Sequence, residues 1–254
     1  LRVLLEDTFI PHPYPDSAFR RLVSGAAKLG LPLSPHQLAQ LNRYYAELEQ
    51  WNQRVNLTAV IAPEEVEARH FLDSLTVALA FPYGLGGSSR LLDVGSGAGF
   101  PGLPLKLACP DLRLALMDSV GKKTIFLRHV CDVLGLTDVE VHTGRAETLA
   151  HTGLREAFDG VVSRAVAPMN VLAELTLPFC RVGGIAIAMK SEDSAEELAQ
   201  AERAIGVLGG HLEQVVAVHL EELGERRVLM VVRKVSPTPQ RYPRRPGIPA
   251  KRPL

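Results

Sequence analysis

The residues with the clearest chemical potential form one glycine-rich stretch, Gly95-Ser96-Gly97-Ala98-Gly99-Phe100-Pro101-Gly102, directly after the apolar run Leu91-Leu92-Asp93-Val94. A strand that breaks into glycines and then into a helix lets a ligand approach the backbone closely. The helix start favours a negative group such as a carboxylate or phosphate. The dinucleotide pattern G-x-G-x-x-G fails here, because Phe100 stands three residues after Gly97. A bulky ring at that position crowds a pyrophosphate but walls in a smaller ligand.

Asp118 closes the next apolar run, about twenty residues on, with Ser119 beside it. An acidic side chain there accepts bonds from ribose hydroxyls, in a nicotinamide cofactor and in S-adenosylmethionine (SAM) alike. The spacing G-x-G-x-G suits SAM, whose single carboxylate asks less of the helix end. Gly144-Arg145-Ala146-Glu147 follows a third run on the same edge, where the backbone and side chains of Ala146 and Glu147 can reach an adenine ring. Asp93 is open to two readings, a partner for the methionine ammonium or a carboxylate bonded to loop amides. Cationic side chains follow the later strands and loops: Arg164, Lys190, Lys122, Lys123 and Arg145.

These positions need a scaffold, and the hydrophobic pattern supplies one. Ser34-Pro35-His36-Gln37 reads as a capping box opening a helix whose apolar face is Leu38, Leu41, Tyr45 and Leu48. A second helix opens at Pro63-Glu64-Glu65 and carries Ala68, Phe71, Leu72, Leu75 and Leu79. Pro82, Gly84, Gly86 and Gly87 mark a boundary near residue 87. Beyond it, strands at Leu91–Val94, Leu112–Met117, Val139–His142, Phe158–Ser163 and Gly184–Met189 alternate with amphipathic segments such as Thr124–Leu134, which Gly135 ends. This alternation predicts a parallel, doubly wound α/β sheet. Leu212–Leu220 and Arg227–Val235 are too close in sequence for a helical crossover and should pair antiparallel. A Rossmann-like sheet with its last strand antiparallel, preceded by a helical subdomain, is the architecture of a class I methyltransferase. The expected organisation is an N-terminal extension with a short helix near 17–29 (1–33), a helical subdomain (34–87), a cofactor-binding domain (88–235) and an extended tail (236–254).

Composition narrows the class. The chain has 254 residues, is 46% hydrophobic, and balances 28 Lys+Arg against 28 Asp+Glu, which excludes bulk disorder. No apolar run approaches the roughly 20 residues of a bilayer helix. The start, Leu1 to Asp7, turns acidic too soon for a signal peptide. Cys109, Cys131 and Cys180 have no C-x-x-C spacing, so neither a disulfide framework nor a cysteine-rich zinc site is expected, and no metal. A cytoplasmic protein is expected. From Arg226 to the end there is no Asp or Glu, and six prolines in the last twenty residues predict an extended, semi-rigid segment without helix or sheet. Arg244, Arg245, Lys251 and Arg252 of that segment, with Lys122 and Lys123, are candidate phosphate contacts for RNA; a merely solvated tail is the other reading.

The sequence resembles the small-subunit ribosomal RNA guanine-N7 methyltransferases, first named glucose-inhibited division protein B. The resemblance rests on Trp51-Asn52 with Asn56-Leu57-Thr58, His70-Phe71-Leu72-Asp73-Ser74-Leu75, and Leu91 to Leu107. It continues in Asp118 to Lys123, Gly144 to Glu147, Ser163-Arg164-Ala165-Val166-Ala167-Pro168, Ala188-Met189-Lys190 and the Tyr242–Leu254 tail. Where the family generally has glycine after the lysine, Ser191 stands here; residues 1–33 lie outside the resemblance. It implies SAM held by Gly95, Phe100, Ala146, Glu147 and Arg164 with Asp118 at the ribose. The implied acceptor is a guanine in the decoding region of 16S rRNA, presented as RNA, as the small ribosomal subunit or as its assembly intermediate. No stable protein partner is implied.

The residues agree with that chemistry. Guanine N7 carries a lone pair and no proton, so attack on a sulfonium methyl needs alignment and exclusion of water rather than a general base. Ser163-Arg164-Ala165 replaces the Asn/Asp-Pro-Pro-aromatic motif of enzymes that methylate exocyclic amines, and no cysteine sits in a Pro-Cys dipeptide. Arg164 is expected to order the site and touch the cofactor, while Lys190 and Arg145 face the guanine or its phosphate. His70 and Trp51 are read as structural. A nicotinamide-dependent oxidoreductase and a non-catalytic RNA-binding or assembly factor with a vestigial pocket are the competing readings.

Overall fold

In a computed structural model of the chain, the apolar runs form one seven-stranded sheet in the order β3-β2-β1-β4-β5-β7-β6. The structure describes residues 19–81, 84–85, 87, 89–192 and 195–254, without the side chains of 195 and 196. Residues 1–18 and the boundary residues Pro82 and Gly86 lie outside them.

The strands are β1 (Arg90–Val94), β2 (Arg113–Asp118), β3 (Val139–Thr143), β4 (Phe158–Arg164), β5 (Cys180–Ser191), β6 (Gly210–Val218) and β7 (Arg227–Lys234). Strands β1 to β5 pair in parallel. β7 runs antiparallel to both neighbours, with Met189 opposite Leu229 and Val216 opposite the same Leu229 from the other side. The parallel strands therefore end together at one edge, where Val94, Asp118, Thr143, Arg164 and Ser191 stand. Lys234 stands at the opposite edge.

α1 (Arg20–Lys28), α2 (Pro35–Val55), α3 (Pro63–Val66) and α4 (Asp73–Leu75) pack against one face of the sheet. The expected short helix begins at Arg20, and α2 begins on the expected capping box, with Ser34 N–H donating to Gln37 Oε1 at 2.8 Å and Gln37 N–H to Ser34 Oγ at 3.3 Å. The segment after Pro63, which the periodicity predicts as a single helix, contains a π turn at Glu67–Leu72 and ends in a 3-10 turn, Thr76–Ala80. The π turn inserts an extra residue per turn and brings His70 and Asp73 onto the sheet-facing side. α5 (Gly102–Ala108), α6 (Gly121–Val133), α7 (Ala146–Leu149), α8 (Met169–Thr176) and α9 (Ala195–Val207) connect the strands.

The helical layer and one sheet face share a continuous core: Leu22, Tyr44, Phe71 and Leu72 pack with Phe100, Leu116 and Phe126. Phe71 is fully buried and meets Phe19, Tyr44 and Phe100 at ring-centroid distances of 5.9, 5.6 and 6.1 Å. Trp51 packs on Phe126 at 5.6 Å and on His129 at 5.0 Å, in agreement with the structural reading of that residue.

The tail departs from expectation. Ile248–Lys251 forms a one-turn helix, α10, with Pro249 in its first turn, where a missing N–H costs nothing. The segment before it turns at Pro239–Tyr242 and is docked. Arg155 guanidinium N–H groups donate to Thr238 O at 2.7 Å and Tyr242 O at 2.9 Å, and His151 Nε2 donates to Pro243 O at 2.9 Å. Arg244 forms a bidentate pair with the fully buried Glu174, with NH2 to Oε2 at 2.5 Å and Nε to Oε1 at 2.9 Å.

Because the helical layer and the sheet bury one aromatic cluster, they should unfold together. Phe71→Ala is expected to destabilise the chain by about 3–5 kcal/mol while urea unfolding followed by fluorescence and by circular dichroism stays coincident. Separate transitions would show that the two layers are independent.

Candidate active site

The glycine turn is held from below by the helical layer. Tyr44, fully buried, donates its hydroxyl to Ala98 O and stacks on Phe100 at 5.4 Å. A Cβ on Gly99, whose φ is +100°, would stand 2.6 Å from that hydroxyl, so the absence of a side chain is what lets Tyr44 reach the turn. At Gly95, with φ +78°, a Cβ would meet Val166 Cγ2 at 2.5 Å, so this glycine lets the loop after β4 close over the end of β1.

A cavity of about 300 Å³ opens at the carboxyl ends of β1, β2 and β3. Gly95, Asp118, Ser119, Ala146, Glu147 and Arg164 line it, as expected of cofactor-binding residues, together with Val120, Lys123, Arg145 and Val166. Asp118 is oriented by the backbone: Gly97 N–H donates to its Oδ2 at 3.0 Å and Val120 N–H to its Oδ1 at 2.8 Å. Four expected residues do not line the cavity. Ser96 is buried, bonding Asp93 O and Met117 N–H so as to tie β1 to β2, while Gly97 and Gly99 shape the turn. Phe100 turns inward, only 4% exposed, and stacks on His70 at 4.4 Å. The expectation that its ring walls in the ligand is thereby corrected: the helical layer offers an aromatic core that a ring gains more by entering. Asp93 is fully buried with Oδ2 accepting Gly102 N–H at 2.9 Å, the loop-amide arrangement; burial raises its pKa to about 7.

A second cavity, of about 440 Å³, lies between the helical layer and the ends of β4, β5 and β7. Arg69, His70, Asp73, Lys190, Glu197 and Arg227 line it. Arg164 and Ala165 line both cavities and form the wall between them. Arg164 is held on three sides: NH1 donates to Arg69 O at 2.7 Å and Asp73 Oδ2 at 3.0 Å, and NH2 to His70 Nδ1 at 3.2 Å. Ala165 follows with φ +55°, a left-handed conformation unusual for a residue with a side chain, which turns the chain sharply after β4. Lys190 Nζ donates to Ala167 O at 2.8 Å and Glu197 Oε2 at 2.7 Å.

Lys190 and Arg145, expected to face one acceptor together, line different cavities. The strand order separates them, since Arg145 follows β3 at one side of the sheet and Lys190 ends β5, beyond β2, β1 and β4. Arg244, expected to contact RNA, is committed to Glu174. Arg245, Lys251 and Arg252 project from the docked tail. Arg69, Asp73, Glu197 and Arg227 were missing from the expected site; the spacing His70-x-x-Asp73 was the available signal, two polar residues inside an apolar helical run.

A strand–glycine-turn–helix unit, an acid at the end of β2 and a cavity at the carboxyl edge of a sheet with an inserted antiparallel strand define a class I SAM-dependent methyltransferase. The family model for rRNA small subunit methyltransferase G (GidB) matches residues 37–229, and the chain belongs to that family. The ribosomal RNA small subunit methyltransferase G of Roseiflexus sp. (strain RS-1) is 50% identical over 234 residues, 92% of this chain and 98% of its own. Among solved structures, a Haloferax volcanii complex containing the Trm112 methyltransferase activator matches with TM-score 0.53 at 15% identity, over 74% of this chain and 98% of that one. TYW2 of M. jannaschii, solved in complex with AdoMet, matches with TM-score 0.51 at 12% identity, over 64% of this chain and 77% of that one. These structural likenesses concern the fold. SAM is the cofactor of the family.

His70 connects the turn to the wall. Its Nδ1 lies between Arg164 NH2, which can only donate, at 3.2 Å and Arg69 O, which can only accept, at 3.1 Å, and its Nε2 stands 2.8 Å from Thr58 Oγ1. Burial first, and the Arg164 charge second, lower the His70 pKa to about 3. The unfolded chain binds this proton more readily, so the stability the neutral ring contributes is complete above pH 6.5 and is lost as pH falls toward 3. The His70 ring resonances should show no protonation shift by NMR between pH 8 and pH 5; a midpoint near 6 would exclude the buried neutral arrangement.

Proposed function

We propose that the chain transfers the methyl group of SAM to N7 of a guanine in the decoding region of 16S rRNA. The observation that supports this most directly is the shared wall: one guanidinium, Arg164, separates the cavity with cofactor-type residues from a second, charged cavity of base size. SAM supplies an electrophilic methyl at its sulfonium. The donor set suits it, with Asp118 for ribose hydroxyls, Ala146 and Glu147 for the adenine end, and Val120 and Val166 as apolar walls.

The second cavity suits a guanine. A guanine presents O6 as an acceptor beside N7 and N1–H and N2–H as donors on the adjoining edge. Arg164 and Lys190 supply donors for O6. Asp73 supplies an acceptor: its Oδ1 is buried without a hydrogen bond, with Arg227 Nε 3.4 Å away as an ion pair only. An adenine presents the reverse pattern on these atoms. A donor on N7 would occupy the reacting lone pair, so the cations orient the base by O6 and leave N7 free. No proton is lost from N7, and the cavity's carboxylates, held by Arg164, Arg227 and Lys190, are not required as bases.

The cations outside the cavities fit a phosphate backbone. Lys122, Lys123 and Arg145 lie on the cofactor side of the rim, with Arg245, Lys251 and Arg252 of the tail as further contacts. The substrate would then be 16S rRNA, the small subunit or its assembly intermediate, met in the cytoplasm. Among the described residues no helix is long and apolar enough to cross a membrane.

Lys190→Ala is expected to lower methyl transfer from labelled SAM by about 10- to 100-fold, as one lost base-edge contact implies, with SAM affinity by calorimetry unchanged. Unaltered turnover would remove Lys190 from the acceptor site. Borohydride–aniline cleavage of rRNA from cells with and without the gene should reveal one gene-dependent N7-methylguanosine; its absence would refute the N7 assignment.

A further inference from the structure

The C-terminal segment leaves β7 at Lys234, on the edge of the sheet away from both cavities, and crosses the α7–α8 layer to the cofactor rim. Its last backbone contact reaches the site itself. Gly247 N–H donates to Glu147 Oε1 at 2.9 Å, and Glu147, only 7% exposed, lines the cofactor cavity. We infer that this segment is a strap that positions the cofactor: Gly247 fixes one carboxylate oxygen of Glu147, which sets where the second stands in the cavity, and Arg244 anchors the strap.

The geometry favours a mechanical role for this part of the tail over a purely electrostatic one. Gly247 has φ +80°, the left-handed region in which a glycine is unstrained, and the turn aims its N–H back at α7. Three residues earlier, Arg244 closes its bidentate pair on Glu174, a carboxylate with no exposure at all. The backbone N–H of Arg244 donates to the same carboxylate at 2.7 Å, so main chain and side chain are clamped together. A buried charge that depends on one guanidinium holds its partner firmly, because losing it leaves the carboxylate unpaired. The strap therefore cannot drift from α8, and its end cannot drift from Glu147. Gly247 and Arg244 are positioning residues: they act on the cofactor through Glu147.

The inference rests on Glu147 as a cofactor contact, and the experiment separates the two. SAM binding is measured by calorimetry without RNA, with thermal melting as the check on folding. Glu147→Ala should weaken SAM binding; if it does not, the cofactor assignment of Glu147 fails and the strap with it. Removing residues 246–254, which keeps the Arg244–Glu174 pair, should raise the SAM Kd by about tenfold, the scale of one hydrogen bond to a charged group. Gly247→Ala, whose Cβ meets nothing within 4 Å, penalises only the left-handed turn and should raise Kd by about two- to fivefold. In turnover both losses should fall on KM for SAM with kcat nearly unchanged. The triple variant Arg245→Ala, Lys251→Ala, Arg252→Ala keeps the Gly247 N–H, so its SAM Kd should match the parent while its rRNA binding becomes less salt-dependent. If truncation prevents folding, Gly247→Ala decides. A folded truncated chain or Gly247→Ala variant with parental SAM affinity would overturn the strap while leaving Glu147 in place, as would a triple variant that binds SAM as weakly as the truncation.

Discussion

The architecture of the site depends on the placement of one guanidinium at low exposure between two cavities. Arg164 stands at the end of β4, and its partners all come from the helical layer: Asp73 by a salt bridge at 3.0 Å, Arg69 by a carbonyl and His70 by a ring nitrogen. Arg164 is only partly exposed, and these acceptors offset the cost of drawing its charge out of water. The requirement explains features that look unrelated along the chain. The π turn brings Arg69, His70 and Asp73 to one side, and burial keeps His70 neutral so that it sets no second positive charge beside Arg164. Phe100 leaves the cofactor cavity to stack beneath the same ring, with the Arg164 guanidinium 5.3 Å from its centroid. Glycine turn, helical layer and cavity wall are thus one connected unit.

That unit makes the helical layer part of the active site rather than a cover for it. Tyr44 reaches Ala98 in the turn, and Asp73 faces the second cavity while gripping the wall. The two layers could not be separated without exposing Phe71 and leaving Arg164 with its charge unpaired. The shapes of the two cavities on either side of the wall are consequently set by the same few contacts. Alignment is what a lone-pair nucleophile requires most, because there is no proton transfer to assist.

The strands and the cofactor turn were legible in the sequence because they are local. A period of two, a glycine cluster and a capping box each report on residues within a few positions of one another. The antiparallel pairing of β6 and β7 followed from a connection too short for a crossover. What was not legible depends on where side chains point and on partners far along the chain. Whether Phe100 faces ligand or core is decided by His70 and Tyr44, some thirty and fifty-six residues away. The separation of Arg145 from Lys190 follows from the sheet order, which local pattern does not specify. The tail shows the same limit: its prolines predict an extended path without helix, whereas Ile248–Lys251 is helical and its anchors are Glu147, Arg155 and Glu174, each more than sixty residues upstream. Glu174, a carboxylate in the apolar run Val171-Leu172-Ala173-Glu174-Leu175, was the one local hint that a cation from elsewhere must arrive.

The docked tail also changes how the basic C-terminus is understood. Read as composition, its cations form a single run available to a polyanion. Folded, they divide by function. Arg244 is spent on a buried carboxylate, Lys234 lies fully buried beside Glu156 at 3.2 Å, and Arg241 stacks over Tyr242 at 5.1 Å. Arg245, Lys251 and Arg252 are left on the surface of a segment whose backbone is already ordered. Any phosphate they meet is met without the entropy cost of first folding a loose arm. The same ordering ties the tail, through Gly247, to Glu147 in the lining of the smaller cavity.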